Sequence, residues 1–121
     1  AIKFYTSLND LKGIEKCKNV LGVLYTYKGE YELALKSYEE AMTLAKKRKD
    51  KNSVQRYLYN IGNIYLYRKN QIDKGIEYYD KSLAYSQKIK DTGAIVLTKM
   101  NKSWALFQKK KNVKIPNVTR L

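Results

Sequence analysis

Hydrophobic positions along this chain recur at the spacing of an α-helix, and the pattern nearly repeats itself after 40 residues. The Lys-Asp pair at 49–50 returns at 90–91, and Leu21-Gly22 returns as Ile61-Gly62. A repeat of this length is typical of stacked helical hairpins, in which each unit packs only on its neighbours. The pattern therefore predicts an all-α solenoid of antiparallel helix pairs rather than one central core.

Five helices are predicted, at 11–27, 31–48, 53–68, 72–89 and 93–109. Asp10, Ser53 and Thr92 are the expected N-caps, because each offers a side-chain oxygen to unpaired amide groups at a helix start. Gly29 and Asn70 suit the left-handed conformation that ends a helix. No run alternates apolar and polar residues for long enough to form a strand, so no sheet is expected.

Small residues recur where two close-packed helices require them. Gly22 and Gly62 fall inside predicted helices, where glycine costs about 1 kcal/mol relative to alanine. A close approach between paired helices explains that cost. Four tyrosines at matching positions are expected in the core, namely Tyr25, Tyr38, Tyr65 and Tyr79.

The order Leu-Gly-x-x-Tyr-x-x-x-Gly-x-Tyr-x-x-Ala-x-x-x-Tyr-x-x-Ala, from Leu21 to Ala41, resembles a tetratricopeptide repeat. The resemblance covers about residues 11–110. The 40-residue spacing and the Tyr-Asn-Ile-Gly-Asn run at 59–63 resemble the longer-helix variety found in bacterial sensor and regulator arrays. This resemblance implies a right-handed superhelical solenoid of about two and a half repeats.

The second and third units depart from this order. One residue is inserted in the turn at 69–71, and Gly75 and Ser82 replace the usual alanines. In the third unit, Asn101 is assigned to the glycine position and Trp104 to the position of Tyr25 and Tyr65. We expect residues 1–110 to form the repeat domain, as a fragment of a longer array, and residues 111–121 to form a basic tail.

The resemblance implies that the first helix of each pair lines a concave groove and that the second forms the outer wall. Amide side chains there can grip an extended peptide backbone with both a donor and an acceptor, and tyrosines can supply apolar contact and a hydroxyl. Lysines on the third unit would hold the charge of an acidic peptide. The candidate partner-binding residues are Asn19, Arg56, Tyr59, Asn60, Asn63, Tyr67, Lys99 and Lys102.

Charge is strongly positive and unevenly distributed. Residues 1–50 carry ten Lys and Arg against seven Asp and Glu, whereas residues 51–121 carry fifteen against four, within a net charge of +14. Such a field favours acidic partners and can hold nucleic acid loosely through its phosphates. A lysine-rich solvated surface that reflects only the base composition of the genome is the alternative interpretation.

The chain lacks the residues of common catalytic and metal sites. It has no histidine and only Cys17 as a thiol, which excludes hydrolase triads and the common zinc sites in their usual forms. Its six glycines are scattered, so no loop cradles a nucleotide. We therefore expect no catalysis, no cofactor and no metal.

Three functions remain open on these observations. The first is a protein-interaction module in the cytoplasm that binds a peptide or partner domain in its groove, within a larger bacterial regulatory or scaffold protein. The second is an oligomerisation or structural spacer without a groove ligand, which associates through exposed repeat ends. A nucleic-acid-binding helical repeat is the least favoured, because residues that read bases should recur at the same position in every unit. At one such position the first two units carry the basic residues Lys16 and Arg56, but the third carries Ile95.

Overall fold

The structure is a computed structural model, and it describes residues 8–111. Helix α1 spans Leu8–Lys28, α2 spans Tyr31–Lys47, α3 spans Lys51–Asn63, α4 spans Ile72–Lys88 and α5 spans Thr92–Lys110. A π-helical turn, Ile64–Arg68, continues α3. No strand occurs within residues 8–111. The predicted all-α helical repeat is confirmed, and the helix ends lie within three residues of the predicted ones when the π-helical turn is counted with α3.

The helix starts correct the predicted caps. Asp50 accepts a hydrogen bond from the Ser53 amide at 3.1 Å, and Asp91 accepts one from the Ala94 amide at 3.1 Å. Ser53 and Thr92 lie inside the helices that they were expected to cap, and Asp10 lies inside α1. A carboxylate three residues before a free amide reaches it more directly than a hydroxyl already within the first turn.

Between residues 8 and 111, four turns contain a residue in the left-handed region. Gly29 has φ of 81° and Asn70 has φ of 55°, as their residue types predict. Lys49 and Lys90 also adopt this conformation, with φ of 56° and 57°. The sequence gives no signal for these two lysines, because their residue type does not favour positive φ.

Close packing within each pair accounts for the two mid-helix glycines. A Cβ atom on Gly22 would lie 2.8 Å from the Tyr38 ring, which joins α1 to α2. A Cβ atom on Gly62 would lie 2.8 Å from the Tyr79 ring and 3.1 Å from the carbonyl oxygen of Gly75, which joins α3 to α4. The prediction that these glycines allow a close helix approach is confirmed.

The core follows the helix interfaces in two clusters. The first surrounds Leu58 and Ile61 and includes Tyr38 and Tyr65, with Tyr25 packed at its edge. The second contains Leu66, Tyr67, Tyr79 and Ala105, with Trp104 packed against it. Three of the four predicted core tyrosines are buried, and Tyr25 is half-buried.

A buried ion pair ties α1 to the second unit. Glu15 is 2% exposed and accepts hydrogen bonds from Arg48 Nε at 2.9 Å and from the Tyr57 hydroxyl at 2.6 Å. The hydrogen bond to Glu15 raises the pKa of Arg48, while burial and then the Glu15 contact raise the pKa of Tyr57. Burial alone would raise the pKa of Asp50, but hydrogen bonds from Ser53 and Arg48 outweigh it and lower that pKa.

The inserted residue of the second unit is absorbed inside the helix. The Lys69 amide donates to the Ile64 carbonyl at 2.9 Å, which is the i to i+5 bond of a π-helix. The Gln71 amide then reaches back to Tyr65, whereas in the first unit the Glu30 amide reaches Tyr25, one residue fewer. The longer turn predicted at 69–71 is therefore accompanied by a wider helical turn before it.

The predicted basic tail lies almost entirely outside the described residues. Lys111 forms the C-cap of α5, and residues 112–121 are not among those that the structure describes.

Candidate functional site

Helices α1, α3 and α5 border a cavity of about 340 Å³, which is called the groove below. It is lined by Val23, Thr26, Tyr27, Tyr38, Tyr59, Asn60, Asn63, Ile64, Tyr67, Arg68, Leu97 and Asn101. Three of these residues come from α1 and most of the others from α3 and its π-helical turn. The first helix of each pair therefore contributes to one shared surface.

The structure brings together four of the eight candidate residues. Tyr59, Asn60, Asn63 and Tyr67 line the groove. Arg56 instead lines an adjoining cavity of about 490 Å³, which shares Tyr59 and Leu97 with the groove.

The other candidates line neither cavity. Asn19 is half-buried on α1, and Lys99 is exposed on α5. Lys102 pairs with Asp80 of α4, with its Nζ 2.7 Å from the carboxylate oxygen. The two lysines expected to supply positive charge from the third unit therefore do not line the groove.

A register difference of two residues explains the positions of Lys99 and Lys102. The N-caps Asp50 and Asp91 are 41 residues apart, so Asn101 corresponds to Asn60 and Lys99 to the buried Leu58. From the sequence, Asn101 was assigned to the position of Gly62, an offset of 39 residues, and this offset aligned Lys99 with Asn60 instead. Each helical residue turns the side chain by about 100°, so two residues move it to the opposite face.

Polar groups of α3 and α5 bond to each other across the groove. Asn101 Nδ2 donates to the Tyr59 hydroxyl at 2.6 Å, and the Tyr67 hydroxyl donates to Asn101 Oδ1 at 3.4 Å. The Tyr67 ring stacks on Trp104 with centroids 5.8 Å apart. The hydroxyl of Tyr79 donates to Asn63 Oδ1. The contacts of Asn101 and Trp104 hold the third unit against the second, and the Tyr79 bond joins α4 to α3 within the second unit.

Asn60 differs from its neighbours in the groove. It is half-buried in the lining, and no hydrogen bond joins its side chain to another described residue. Its amide keeps both an acceptor and two donors available. Asn63 differs from it, because its Oδ1 already accepts a hydrogen bond from Tyr79, while its Nδ2 donors remain available.

For three of the groove residues that the sequence candidates did not include, the reason can be identified. Asn101 was assigned to a glycine position, although the 41-residue return of the Lys-Asp pair at 90–91 matches it to Asn60. The same 41-residue register aligns Leu97 with the candidate residue Arg56. Arg68 was missed because its position depends on the π-helical turn, for which the only signal was the inserted residue.

The repeat geometry agrees with a comparison against known protein families. A family model described as tetratricopeptide repeat matches residues 16–88, which is more than half of the chain. This protein belongs to the tetratricopeptide repeat family. No curated protein and no solved structure matches the chain.

Membership in the tetratricopeptide repeat family indicates a protein-protein interaction module with protein partners. Within residues 8–111 no helix is both long and apolar enough to cross a membrane. The same residues contain no group of three side chains able to hold a metal ion.

Proposed function

We propose that the groove binds an extended peptide segment of a protein partner, as a non-catalytic module of a larger cytoplasmic bacterial regulatory or scaffold protein. Asn60 is the observation that carries this proposal. A half-buried amide without a partner in a concave surface can accept from a main-chain N–H and donate to a main-chain carbonyl at once. Such a pair of bonds recognises an extended backbone whatever its side chains.

The other lining residues have supporting roles in this proposal. Tyr59 presents part of its ring for apolar contact, and the buried Tyr67 forms part of the groove wall, while the hydroxyls of both stay engaged with Asn101. Asn63 contributes a donor from Nδ2. Arg56 extends the contact into the adjoining cavity.

Lys99, Lys102 and Asn19 do not line the groove, and of the three we expect only the lysines to contribute, at a distance. The two lysines add to the positive field around the site, which steers an acidic peptide towards it. Their contribution should decline with added salt, because exposed charges are screened within about 10 Å at 0.1 M ionic strength.

Mutation of Asn60 tests the proposal. The probe is a pool of fluorescent acidic octapeptides, titrated against the wild type, Asn60→Ala and Asn19→Ala. Losing a net hydrogen bond costs about 0.5–1.5 kcal/mol, so Asn60→Ala should weaken peptide binding severalfold. Asn19→Ala is the matched control, because it removes an amide of α1 that does not line the groove, and it should bind normally.

Single-stranded RNA in the same titration separates the groove from the basic surface. We expect RNA to bind weakly and without response to Asn60→Ala. If RNA binds as tightly as the peptides and the Asn60→Ala variant binds both normally, the groove hypothesis is wrong.

A second candidate function, self-association, is favoured by the outer face of α5. Val96, Met100 and Phe107 are 51%, 64% and 52% exposed, and their spacing of four and seven places them on one side of the helix. We propose that a second copy covers this face. Sedimentation at rising concentration should show association that Met100→Gln reduces and Leu33→Gln, at an exposed leucine of α2, does not. A monomer at every concentration would contradict it.

A further inference from the structure

One described residue of the groove lining carries a formal charge at neutral pH, and it is Arg68. The other lining residues are apolar, amide, hydroxyl or phenol side chains. We propose that Arg68 determines specificity by binding an acidic side chain of the peptide, and that the π-helical turn at Ile64–Arg68 places it there. This inference rests on the proposed function of the groove.

The two repeats show what the π-helical turn changes. Tyr27 and Lys28 end α1 at the positions that Tyr67 and Arg68 occupy 40 residues later. Tyr27 is 58% exposed and Lys28 does not line the groove, whereas Tyr67 is 3% exposed and Arg68 does line it. The first unit ends in an ordinary turn, and the second contains the inserted residue and the i to i+5 bond. The wider turn thus accompanies a different environment for both side chains, with deeper burial of Tyr67 and a place in the groove lining for Arg68.

Arg68 is available for a ligand. No carboxylate pairs with it among residues 8–111, although the neighbouring Lys69 is paired with Glu32 across to α2. Ion pairs also occupy other lysines near this unit, such as Lys102 with Asp80. Arg68 is therefore a half-buried cation in the groove that forms no ion pair with a carboxylate in the described part of the chain.

The chemistry of the guanidinium selects a carboxylate. Its planar donors match the two oxygens of an Asp or Glu side chain, and partial burial strengthens the attraction relative to solvent. The groove lining provides no acid to attract a basic peptide instead. The occupant is therefore an extended peptide with an acidic side chain near its contact with Arg68.

The two proposed contacts are close enough to be made by one short segment. Asn60 and Arg68 are eight residues apart, which corresponds to about 12 Å along a helix. An extended peptide covers this distance with about four residues at roughly 3.3 Å each. A single acidic position within a few residues of the clasped backbone should therefore be preferred.

A positional scan with charge-matched variants tests this. The probes are fluorescent octapeptides with amidated C-termini, each compared with Glu and with Gln at one position, so that any charge preference belongs to a side chain. The wild type should prefer Glu at one position by about tenfold, consistent with a charged hydrogen bond. Arg68→Gln should abolish this preference and still bind the Gln peptides, while Arg68→Lys should retain part of it.

Lys99→Gln is the control, because it removes the same charge from an exposed residue that does not line the groove. It should keep the preference for Glu. If Arg68→Gln keeps the preference, or Lys99→Gln loses it equally, the inference is overturned and peptide binding by the groove stands. If no octapeptide binds the folded wild type, the proposed function fails and the role of Arg68 fails with it. Circular dichroism establishes that each variant is folded.

Discussion

Single residues set the distance between the paired helices of each repeat. Gly62 lies against the Tyr79 ring and the Gly75 carbonyl, and Tyr79 is fully buried. Gly75 itself faces Leu66, whose Cβ would lie 3.0 Å from an added Cβ. Two glycines facing each other across α3 and α4 explain why the second unit replaces the usual alanine with a smaller residue.

Replacing Gly62 by alanine should destabilise the protein despite the better helix propensity of alanine. Overpacking costs about 1–3 kcal/mol, while the gain in propensity is about 1 kcal/mol. The first effect should prevail, because the Gly75 backbone and the buried Tyr79 leave little room to adjust. Urea unfolding measures the difference.

Gly13→Ala is the matched control, since an added Cβ there meets nothing within 4 Å inside the same kind of helix. It should stabilise the protein by up to about 1 kcal/mol. Equal effects of the two substitutions would show that propensity, not packing, governs both glycines.

The Glu15 carboxylate is a second residue with consequences beyond its own helix. Its partners Arg48 and Tyr57 come from the end of α2 and from α3, so one buried group joins three elements. Removing one partner of a buried ion pair typically costs about 3–5 kcal/mol. We expect Glu15→Ala to cost about 3 kcal/mol, near the lower end of that range, because Arg48 keeps its bond to Asp50.

An exposed ion pair on the same helices provides the comparison. Lys18 and Glu40 lie 3.2 Å apart with side chains 29% and 44% exposed. Lys18→Ala should change the free energy of unfolding by about 0–1 kcal/mol. A small effect of Glu15→Ala, similar to that of Lys18→Ala, would contradict the role assigned to the buried pair.

Among the elements, α5 depends most on how it starts. Asp91 caps it, and this aspartate also establishes the 41-residue register that places Asn101 in the groove. Loss of an N-cap typically costs about 1 kcal/mol. Asp91→Ala should therefore lower the midpoint of thermal unfolding, whereas Thr92→Ala, at the position first predicted as the cap, should have little effect. A larger decrease in the midpoint for Thr92→Ala than for Asp91→Ala would support Thr92 as the cap.

The π-helical turn shows how an element absorbs a change in length. Inserting one residue between paired helices would displace every contact that follows, yet Tyr79 and Ser82 keep the positions of Tyr38 and Ala41 in the packing. The wider turn takes up the extra residue before α4 begins, so the cost is local. The same turn contains the buried Tyr67 and the groove residue Arg68.

At the scale of the whole molecule, protection should decline from the middle of the array towards α5. Helix α3 buries residues along most of its length, whereas Thr98 and Ala105 are the buried residues of α5. Repeat proteins derive stability from contacts between neighbouring units, so a helix with few buried side chains opens at lower free energy. Amide hydrogen exchange should therefore be faster in α5 than in α3. Uniform protection of all the helices would contradict a repeat-by-repeat stability.

Much of the fold was determined by the sequence itself. The spacing of apolar residues defined five helices, and the glycine and tyrosine positions defined how each pair packs. These features are local or recur in each unit, so one helical period and one repeat are enough to read them. In the candidate site, Tyr59, Asn60, Asn63 and Tyr67 were found in the same way, from the unit whose order is clearest.

The tertiary structure alone decided the remaining features, because each depends on residues far apart in the chain. Glu15 bonds to Arg48 and Tyr57, which lie 33 and 42 residues away in the chain, and no sequence pattern predicts these bonds. A shift of two residues in the register of α5 turns its face by about 200°, which decides whether Lys99 or Asn101 corresponds to Asn60. The place of Arg68 in the groove lining was likewise evident only from the structure. A repeat pattern identifies the helices and their order. The groove, however, is formed by one face of each helix, and an error of two residues in register assigns the residues of the opposite face to it.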